Sequence, residues 1–303
     1  MPVWIAVTLA AALFQTWRTA LQQKLRGQLS VNGAGVVRYL YGVPFGLALL
    51  LTYSALVGTQ GGLPPPTLSF LGFAVLGGLA QILGTNLLIM AFGARGFAVG
   101  TAYAKTEAVQ GAVLALILLD ERLSPLAWLG IAVGVSGVLY LSLAGKREGM
   151  LGLLRATVQP AALYGLGAGL GFAFSAVLIK TTNQQLDHPD PVLRALLSLV
   201  AINLLQTLMQ GAWLAWREPD QLRAVFASWR DSVPVGALSA LGSACWFTGF
   251  ALAPVALVRA LGQTEILFTL LFSRFYLKER PSHAEIAGAL IVVAGVVLVL
   301  LGR

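Results

Sequence analysis

Charge is scarce in this sequence. Of its 303 residues only 11% are charged, whereas 57% are hydrophobic. A soluble domain carries about a quarter charged residues, so this chain cannot cover a water-facing surface, and we expect an integral membrane protein. The formal net charge is +8. Because inner-membrane proteins gather Lys and Arg in their cytoplasmic loops, we attribute the excess of base to membrane insertion and expect no nucleic-acid partner.

Cysteine and histidine are nearly absent. The single cysteine, Cys245, excludes an intramolecular disulfide, and the two histidines, His188 and His283, lie too far apart in sequence for a His/Cys metal cluster. The chain also has no Walker-type phosphate loop, no G-x-S-x-G and no H-E-x-x-H. We therefore expect no enzyme, no metal and no cofactor, and any transport must draw on a gradient of ion or substrate.

Long apolar runs fill the rest of the chain. A helical span needs about twenty mostly apolar residues. Polar, Pro and Gly breaks predict an all-α membrane protein with ten such segments: 3–22, 33–57, 67–92, 96–119, 124–144, 160–184, 191–216, 233–252, 254–277 and 282–301. The run from Val3 lacks a basic leader and a cleavage site, so we expect a retained helix. Only the connections 145–159 and 217–232 are long.

Residues typical of helix ends support several of these boundaries. Ser124-Pro125 supplies an N-cap followed by proline at the first helical position. Residues 282–285, Ser-His-Ala-Glu, form a capping box that opens the last segment. Prolines 64–66 begin the third segment, and Pro254 separates the eighth from the ninth.

The chain repeats itself. Residues 88–125 align without a gap on residues 246–283, at an offset of 158. This alignment places the K-T-E of 105–107 on the Q-T-E of 263–265, and the D-E-R of 120–122 on the K-E-R of 278–280. We therefore predict two five-helix repeats, 1–145 and 160–303, joined by a loop at 146–159. Because five is odd, the second repeat crosses the membrane in the opposite sense, which places a substrate site near the midplane between the repeats.

Basic residues are distributed unequally between alternate loops. Twelve lie on the side of the first, third, fifth, seventh and ninth loops, against two on the other side, Arg122 and Arg303. The twelve are Lys24, Arg26, Arg95, Lys146, Arg147, Arg155, Arg217, Arg223, Arg230, Arg274, Lys278 and Arg280. The majority side is predicted to be cytoplasmic, with both termini outside the cytoplasm.

Several stretches resemble a known family. The run from Thr106-Glu107 through residues 120–125, D-E-R-L-S-P, followed by Gly130 and the 134–138 run G-V-S-G-V, resembles the closing two helices of an EamA domain in the drug/metabolite transporter superfamily. The second copy, with K-E-R at 278–280 and the glycine-bounded run 288–296, resembles it more closely. Residues 38–40, Arg-Tyr-Leu, look like the opening of the second helix of many members.

This resemblance implies a secondary transporter of small organic molecules that works by alternating access and often exports its substrate. Two features depart from the family. Many members carry Trp-Gly-Ser in the first helix, where this chain has Gln15, Thr16, Trp17 and Arg18, and many keep their termini in the cytoplasm.

Two carboxylates stand out because of their depth. Glu107 lies eleven residues after Gly96, and Glu265 eleven after Pro254. At 1.5 Å per residue each is about 16 Å inside its segment, too deep for a short side chain to reach water. A charge at that depth costs about 3 kcal/mol, which indicates substrate binding, proton carriage or pairing with a neighbouring charge.

The neighbours of Glu107 suggest its surroundings. Lys105 is about 200° away around a helix, so the two charges should not pair; either the helix is broken there or they face different neighbours. Tyr103, Glu107 and Gln110 share a face at i, i+4, i+7 and form a polar stripe that lines a cavity or is satisfied by adjacent helices.

Arg259 and Gln263 form an i, i+4 pair on the ninth segment. Three roles stay open for Arg259: reaching the interface, neutralising Glu107 or Glu265, or receiving a substrate carboxylate.

Other polar and aromatic residues are weaker candidates. Substrate binding or interhelical hydrogen bonding is open for Gln15, Gln81 and Thr85, and a pocket wall or ordinary packing for Trp246 and Phe174. Four basic residues near helix ends are expected to reach the interface or to act as gates: Arg18, Arg38, Lys180 and Arg194. The glycines at 130 and 134, and those at 165, 167, 169 and 171, are expected to let helices approach closely.

The leading hypothesis is a bacterial inner-membrane secondary transporter with ten helices around a cavity that is lined mainly by segments 1, 3, 4, 6, 8 and 9.

In full, this hypothesis is a ten-helix secondary transporter that moves a small polar metabolite by rocking the two repeats about that cavity, with proton antiport as a candidate mode. Candidate residues of both charge signs favour a zwitterionic or amino-acid-like solute. Coupling is expected through Glu107 or Glu265, with protons as the candidate coupling ion. The alternatives are uncoupled exchange with structural carboxylates, efflux of organic cations or drugs, and, more remotely, a membrane enzyme acting on lipid headgroups. The expected partners are the small-molecule substrate and the lipid bilayer, with a monomer favoured over a dimer through the fifth and tenth segments.

Overall fold

The structure is a computed structural model that describes residues 2–25, 27–58, 62–93, 103–143, 160–276 and 283–302. Within these ranges every regular element is a helix. In chain order the α-helices are α1 (Val3–Leu25), α2 (Val31–Leu40), α3 (Gly42–Val57), α4 (Leu68–Gly93), α5 (Glu107–Leu119), α6 (Pro125–Leu143), α7 (Pro160–Gln184), α8 (Pro191–Arg217), α9 (Pro219–Ala227), α10 (Trp229–Leu252), α11 (Val255–Leu261), α12 (Glu265–Tyr276) and α13 (His283–Leu301).

Several of these helices are long and apolar enough to cross a membrane. In the described ranges five spans qualify: Val31–Val57, Leu68–Ala91, Ala162–Gln184, Pro191–Arg217 and Trp229–Leu252. Three shorter apolar helices accompany them, at Glu107–Leu119, Pro125–Tyr140 and Ile286–Leu301. The chain is therefore an all-helical, multi-pass membrane protein, as its composition predicts.

Helix ends follow the sequence signals where they can be compared. Helix α6 begins at Pro125, and the Ser124 hydroxyl accepts a hydrogen bond from the Ala127 N–H at 3.1 Å. Pro254 separates α10 from α11. Both predictions are confirmed. Ser282 of the capping box, the K-E-R of 278–280 and the loop 146–159 lie outside the described residues.

The predicted start of the eighth segment is wrong. The connection 217–232 contains a helix, α9, and α10 already begins at Trp229 instead of at 233. Helix α9 is fixed by its N-terminal side chains, because Glu218 accepts hydrogen bonds from Ser30 and Asn32 at 2.6 and 2.7 Å. The second predicted segment, 33–57, lies within the single span Val31–Val57, in which Tyr41 separates α2 from α3.

The chain folds into two compact units. The first comprises Met1–Ile82 and Ser175–Ala253, and the second comprises Leu83–Phe174 and Pro254–Arg303. Each unit therefore takes helices from both predicted repeats.

The first unit is held together by close backbone approaches and a capped helix. A Cβ on Gly236 of α10 would lie 2.5 Å from the carbonyl carbon of Tyr41, so only glycine permits this approach. At the start of α8, Asp190 accepts hydrogen bonds from the N–H groups of Val192 and Leu193 and from the Tyr53 hydroxyl.

Those contacts set the ionisation of Asp190. Burial alone would raise the pKa of this carboxyl, but the hydrogen bonds from Tyr53, Val192 and Leu193, together with the nearby His188, lower the pKa below its usual value. The charged carboxylate thus caps α8 at neutral pH.

The second unit contains a tight pair of helices, α6 and α13. A Cβ on Gly295 would lie 2.4 Å from the backbone nitrogen of Gly134, and one on Gly130 would lie 2.6 Å from the backbone nitrogen of Val299. Gly130 therefore lets the two helices approach closely, as predicted, and so does Gly295. At Gly134 a Cβ would have its nearest atom at 3.9 Å, so that position does not require glycine.

Candidate functional site

The second unit contains two interrupted helices. Tyr103 and Ala104 are helical, Lys105 and Thr106 form a turn, and α5 begins at Glu107. Between α11 and α12, residues Gly262–Thr264 form a single 3-10 turn. Of the two alternatives left open at Lys105, the structure shows the broken helix. The predicted segment 254–277 is interrupted as well.

The same hydrogen bond closes each break. The Thr106 hydroxyl donates to the Tyr103 carbonyl at 2.6 Å, and the Thr264 hydroxyl donates to the Leu261 carbonyl at 2.9 Å. Both donor and acceptor in the second pair stand 158 positions after those in the first. A threonine thus satisfies a carbonyl freed where the helix is interrupted, at equivalent positions of the two stretches.

Four charged side chains meet at these breaks and pair crosswise. The Lys105 Nζ donates to the Glu265 carboxylate, and the Arg259 guanidinium lies 3.5 Å from the Glu107 carboxylate. Each carboxylate is therefore paired with a base from the other interrupted stretch, and Lys105 does not pair with Glu107. The side chains are 11% exposed or less. With two positive and two negative charges, the cluster sums to zero.

The ends of three helices also stabilise these charges. Glu107 and Glu265 are the first residues of α5 and α12, and Arg259 lies in the last turn of α11. The positive end of a helix dipole favours a carboxylate and its negative end favours a cation. The interruption of both helices therefore stabilises the charges that lie there.

Hydrogen bonds anchor two members further. Arg259 donates to the Phe172 carbonyl at 3.1 Å, which ties it to α7. Gln263 donates through Nε2 to the Lys105 carbonyl at 3.3 Å, while its Oε1 is buried and accepts no hydrogen bond from the described part of the chain.

A glycine lets α7 approach the first break. A Cβ on Gly169 would lie 2.9 Å from the Ala104 carbonyl oxygen and 3.3 Å from the Glu107 nitrogen. A larger residue would displace the turn that carries Lys105. This is the close approach that the glycine row on the sixth segment predicts.

The predicted stripe of Tyr103, Glu107 and Gln110 is not continuous, because the break separates Tyr103 from the other two. Tyr103 packs in a buried apolar cluster with Ala162 and Leu166. Gln110 donates to the Thr106 hydroxyl at 3.1 Å. Both residues serve contacts with neighbouring elements here.

The remaining binding candidates are distributed over both units. In the first unit the Trp246 indole N–H donates to the Gln15 side chain at 3.1 Å, and Gln81 accepts from Gln206 at 2.8 Å. In the second unit Thr85 is buried, while Phe174 is 38% exposed.

The basic residues expected at interfaces divide into two kinds. Arg18 and Arg38 are buried, so their side chains do not reach the surface here, and the role of gates stays a prediction for both. The Arg38 Nε donates a hydrogen bond to the Ser239 hydroxyl at 3.4 Å, because α2 packs against α10 there. The Arg38 guanidinium also lies over the Tyr39 ring. Lys180 donates to the Ala253 carbonyl at 2.9 Å, and Arg194 is partly exposed.

One site residue escaped the sequence reasoning. Glu121, in the D-E-R motif, accepts a hydrogen bond from the Val255 N–H at 2.8 Å and so caps α11, the helix that carries Arg259. The recurrence of the motif was the available signal, but its partner depends on the fold.

Known proteins resemble this chain in family and in fold. Residues 159–301 match the model of the EamA-like transporter family. A solved crystal structure of a protein is similar over the whole of this chain and 97% of its own, with a TM-score of 0.75 and 19% sequence identity. At that identity the likeness shows the fold alone. No curated protein matches the chain.

The match over residues 159–301, together with the apolar helices, indicates a membrane transporter rather than an enzyme. Over those residues the EamA resemblance drawn from the sequence is confirmed.

Proposed function

We propose that this protein is a secondary transporter that moves a small zwitterionic metabolite across the bacterial inner membrane by alternating access. The observation that carries the proposal is the buried cluster of Lys105, Glu107, Arg259 and Glu265 on two helix breaks. Interrupted helices in membrane transporters commonly mark the substrate site, because their ends offer dipoles and freed backbone groups. We extend the proposal to export, on the family resemblance, and to extracytoplasmic termini, on the charge count.

The two breaks support the proposed inverted repeat of ten helices. Their threonine hydrogen bonds and paired carboxylates recur at the offset found in the sequence. In alternating access, two equivalent halves exchange conformations, so equivalent breaks are what such a mechanism requires.

The charge content of the cluster favours a zwitterion. A substrate ammonium can replace Lys105 at Glu265, and a substrate carboxylate can bind the planar guanidinium of Arg259. A lipophilic cation would find two carboxylates already paired with bases. This contrast argues against organic-cation efflux as the main activity.

Uncoupled exchange is the second candidate, and the ion pairs favour it. Each carboxylate expected to carry a proton already has a basic partner, so it does not need protonation to lie in the membrane. Under this candidate, the substrate itself supplies the gradient.

Uptake into proteoliposomes tests both candidates. Labelled neutral L-amino acids serve as the probe, with and without a pH gradient, for the natural protein, Glu107→Gln and Glu265→Gln. Gly211→Ala is the control, because a Cβ there meets nothing within 4 Å. We expect both glutamine variants to lose uptake and the control to keep it. Full uptake by both variants would refute the site, and uptake that follows the pH gradient would favour proton antiport over exchange.

A further inference from the structure

The cluster contains one base that can become neutral. Lys105 can release its proton, whereas the Arg259 guanidinium stays protonated in proteins. Among the described residues, the charged group bonded to Lys105 is Glu265 of α12, while Glu107 of α5 is bonded to Arg259 of α11. Helix α7 brings the Phe172 carbonyl, and its only charged side chain, Lys180, bonds elsewhere.

Net charge therefore decides what the cluster can accept. A zwitterion leaves the total at zero, but a monovalent cation raises it to +1. An uncompensated charge near the bilayer centre costs about 3 kcal/mol, which corresponds to roughly a hundredfold loss of affinity.

We propose that the cluster is a charge-balance filter in which Lys105 is the proton-releasing residue. Net-neutral solutes cross without a proton, and a cationic amine crosses only in exchange for the Lys105 proton. This inference rests on the proposed transport function and deepens it, because it assigns the proton to the lysine instead of to either glutamate.

The step balances in atoms and charge. When an ammonium group takes the Glu265 carboxylate, the Lys105 Nζ–H bond breaks, Nζ keeps the electron pair and the proton passes to water. The cluster with its bound cation then returns to zero net charge. Release of the amine on the other side reverses the step, as Nζ takes a proton from water there.

Matched solutes test the filter. Alanine and leucine are compared with alaninamide and leucinamide, which keep the size and shape but carry a net positive charge at pH 6.5. Proteoliposomes contain a pH indicator, the membrane potential is held at zero, and protein-free vesicles correct for passive entry of the amines.

For the natural protein we expect amino-acid uptake without proton movement. Amide uptake should release a proton for each molecule and respond about tenfold to each pH unit of gradient. Lys105→Arg should reduce the number of protons released per amide molecule to zero. A general loss of activity would slow both movements and leave this ratio unchanged. Lys24→Arg, the same change at an exposed residue that pairs with Asp231, should leave the ratio intact.

Double variants supply the second measurement. Lys105→Gln leaves the cluster at −1 and should favour the amides without proton release. Adding Glu265→Gln restores neutrality and should restore the preference for amino acids. An unchanged proton ratio in Lys105→Arg, or proton-coupled amino-acid uptake by the natural protein, overturns the filter while the transport function stands. If neither solute class enters above the protein-free level, the proposed function fails and the filter with it.

Discussion

Breaking the pair between Arg259 and Glu107 should reveal how strongly the cluster holds the second unit. Their side chains are 8% and 9% exposed, so replacing either one leaves the other charge buried beside a neutral group. Loss of one member of a buried ion pair costs about 3 to 5 kcal/mol. We expect Glu107→Gln and Arg259→Gln each to fall in that range, and the double variant to cost clearly less than their sum, because it contains no unpaired charge.

The assay is a double-mutant cycle read by thermal unfolding in detergent. At roughly 2 °C for each kcal/mol in a chain of this size, each single variant should lower Tm by on the order of 6 to 10 °C. The control is the pair between Arg122 and Asp120, which is shorter at 3.1 Å but 81% and 76% exposed. Its cycle should give less than about 1 kcal/mol. Additive effects at Arg259 and Glu107 would show that the buried pair does not form.

Three further predictions concern packing, acid stability and orientation. Gly295→Ala should destabilise the protein by about 1 to 3 kcal/mol, because the added Cβ would overlap the backbone of Gly134, whereas Gly134→Ala, with its nearest atom at 3.9 Å, should be nearly neutral in the same thermal assay. Asp190→Ala should cost about 1 kcal/mol at neutral pH through loss of the α8 cap. Since the folded pKa of Asp190 is lowered, its contribution is present above the unfolded pKa and disappears as pH falls through the folded value, so the natural and variant melting curves should converge in acid. Reporters active only in the cytoplasm should be silent at both termini, and strong activity at either would reverse the assigned orientation.

Local chemistry was readable from the sequence. The scarcity of charge indicated a membrane protein, and Ser124 and Pro254 marked helix boundaries that the structure confirms. These two boundaries were predictable because a cap or a proline acts only on its own helical turn. The connection 217–232 was misread, since α9 depends on hydrogen bonds from Ser30 and Asn32, nearly 190 positions away in sequence.

The candidate site residues also divide into features that the sequence predicted and features that depend on the fold. Depth along a helix singled out Glu107 and Glu265, and a 200° separation ruled out a pair between Lys105 and Glu107. Nothing in the sequence decided between three roles for Arg259, because its partner is 152 positions away. The structure also shows Arg38 buried against Ser239, where helix-end position alone suggested contact with water.

The sequence by itself indicated that this chain is helical and membrane-embedded, and it showed that the K-T-E and Q-T-E stretches align at an offset of 158, because composition and alignment are properties of the chain alone. Only the tertiary structure decided that both stretches are interrupted and that their charges pair crosswise. Pairing depends on which helices pack together, and a buried charge is stable only beside the partner that packing provides.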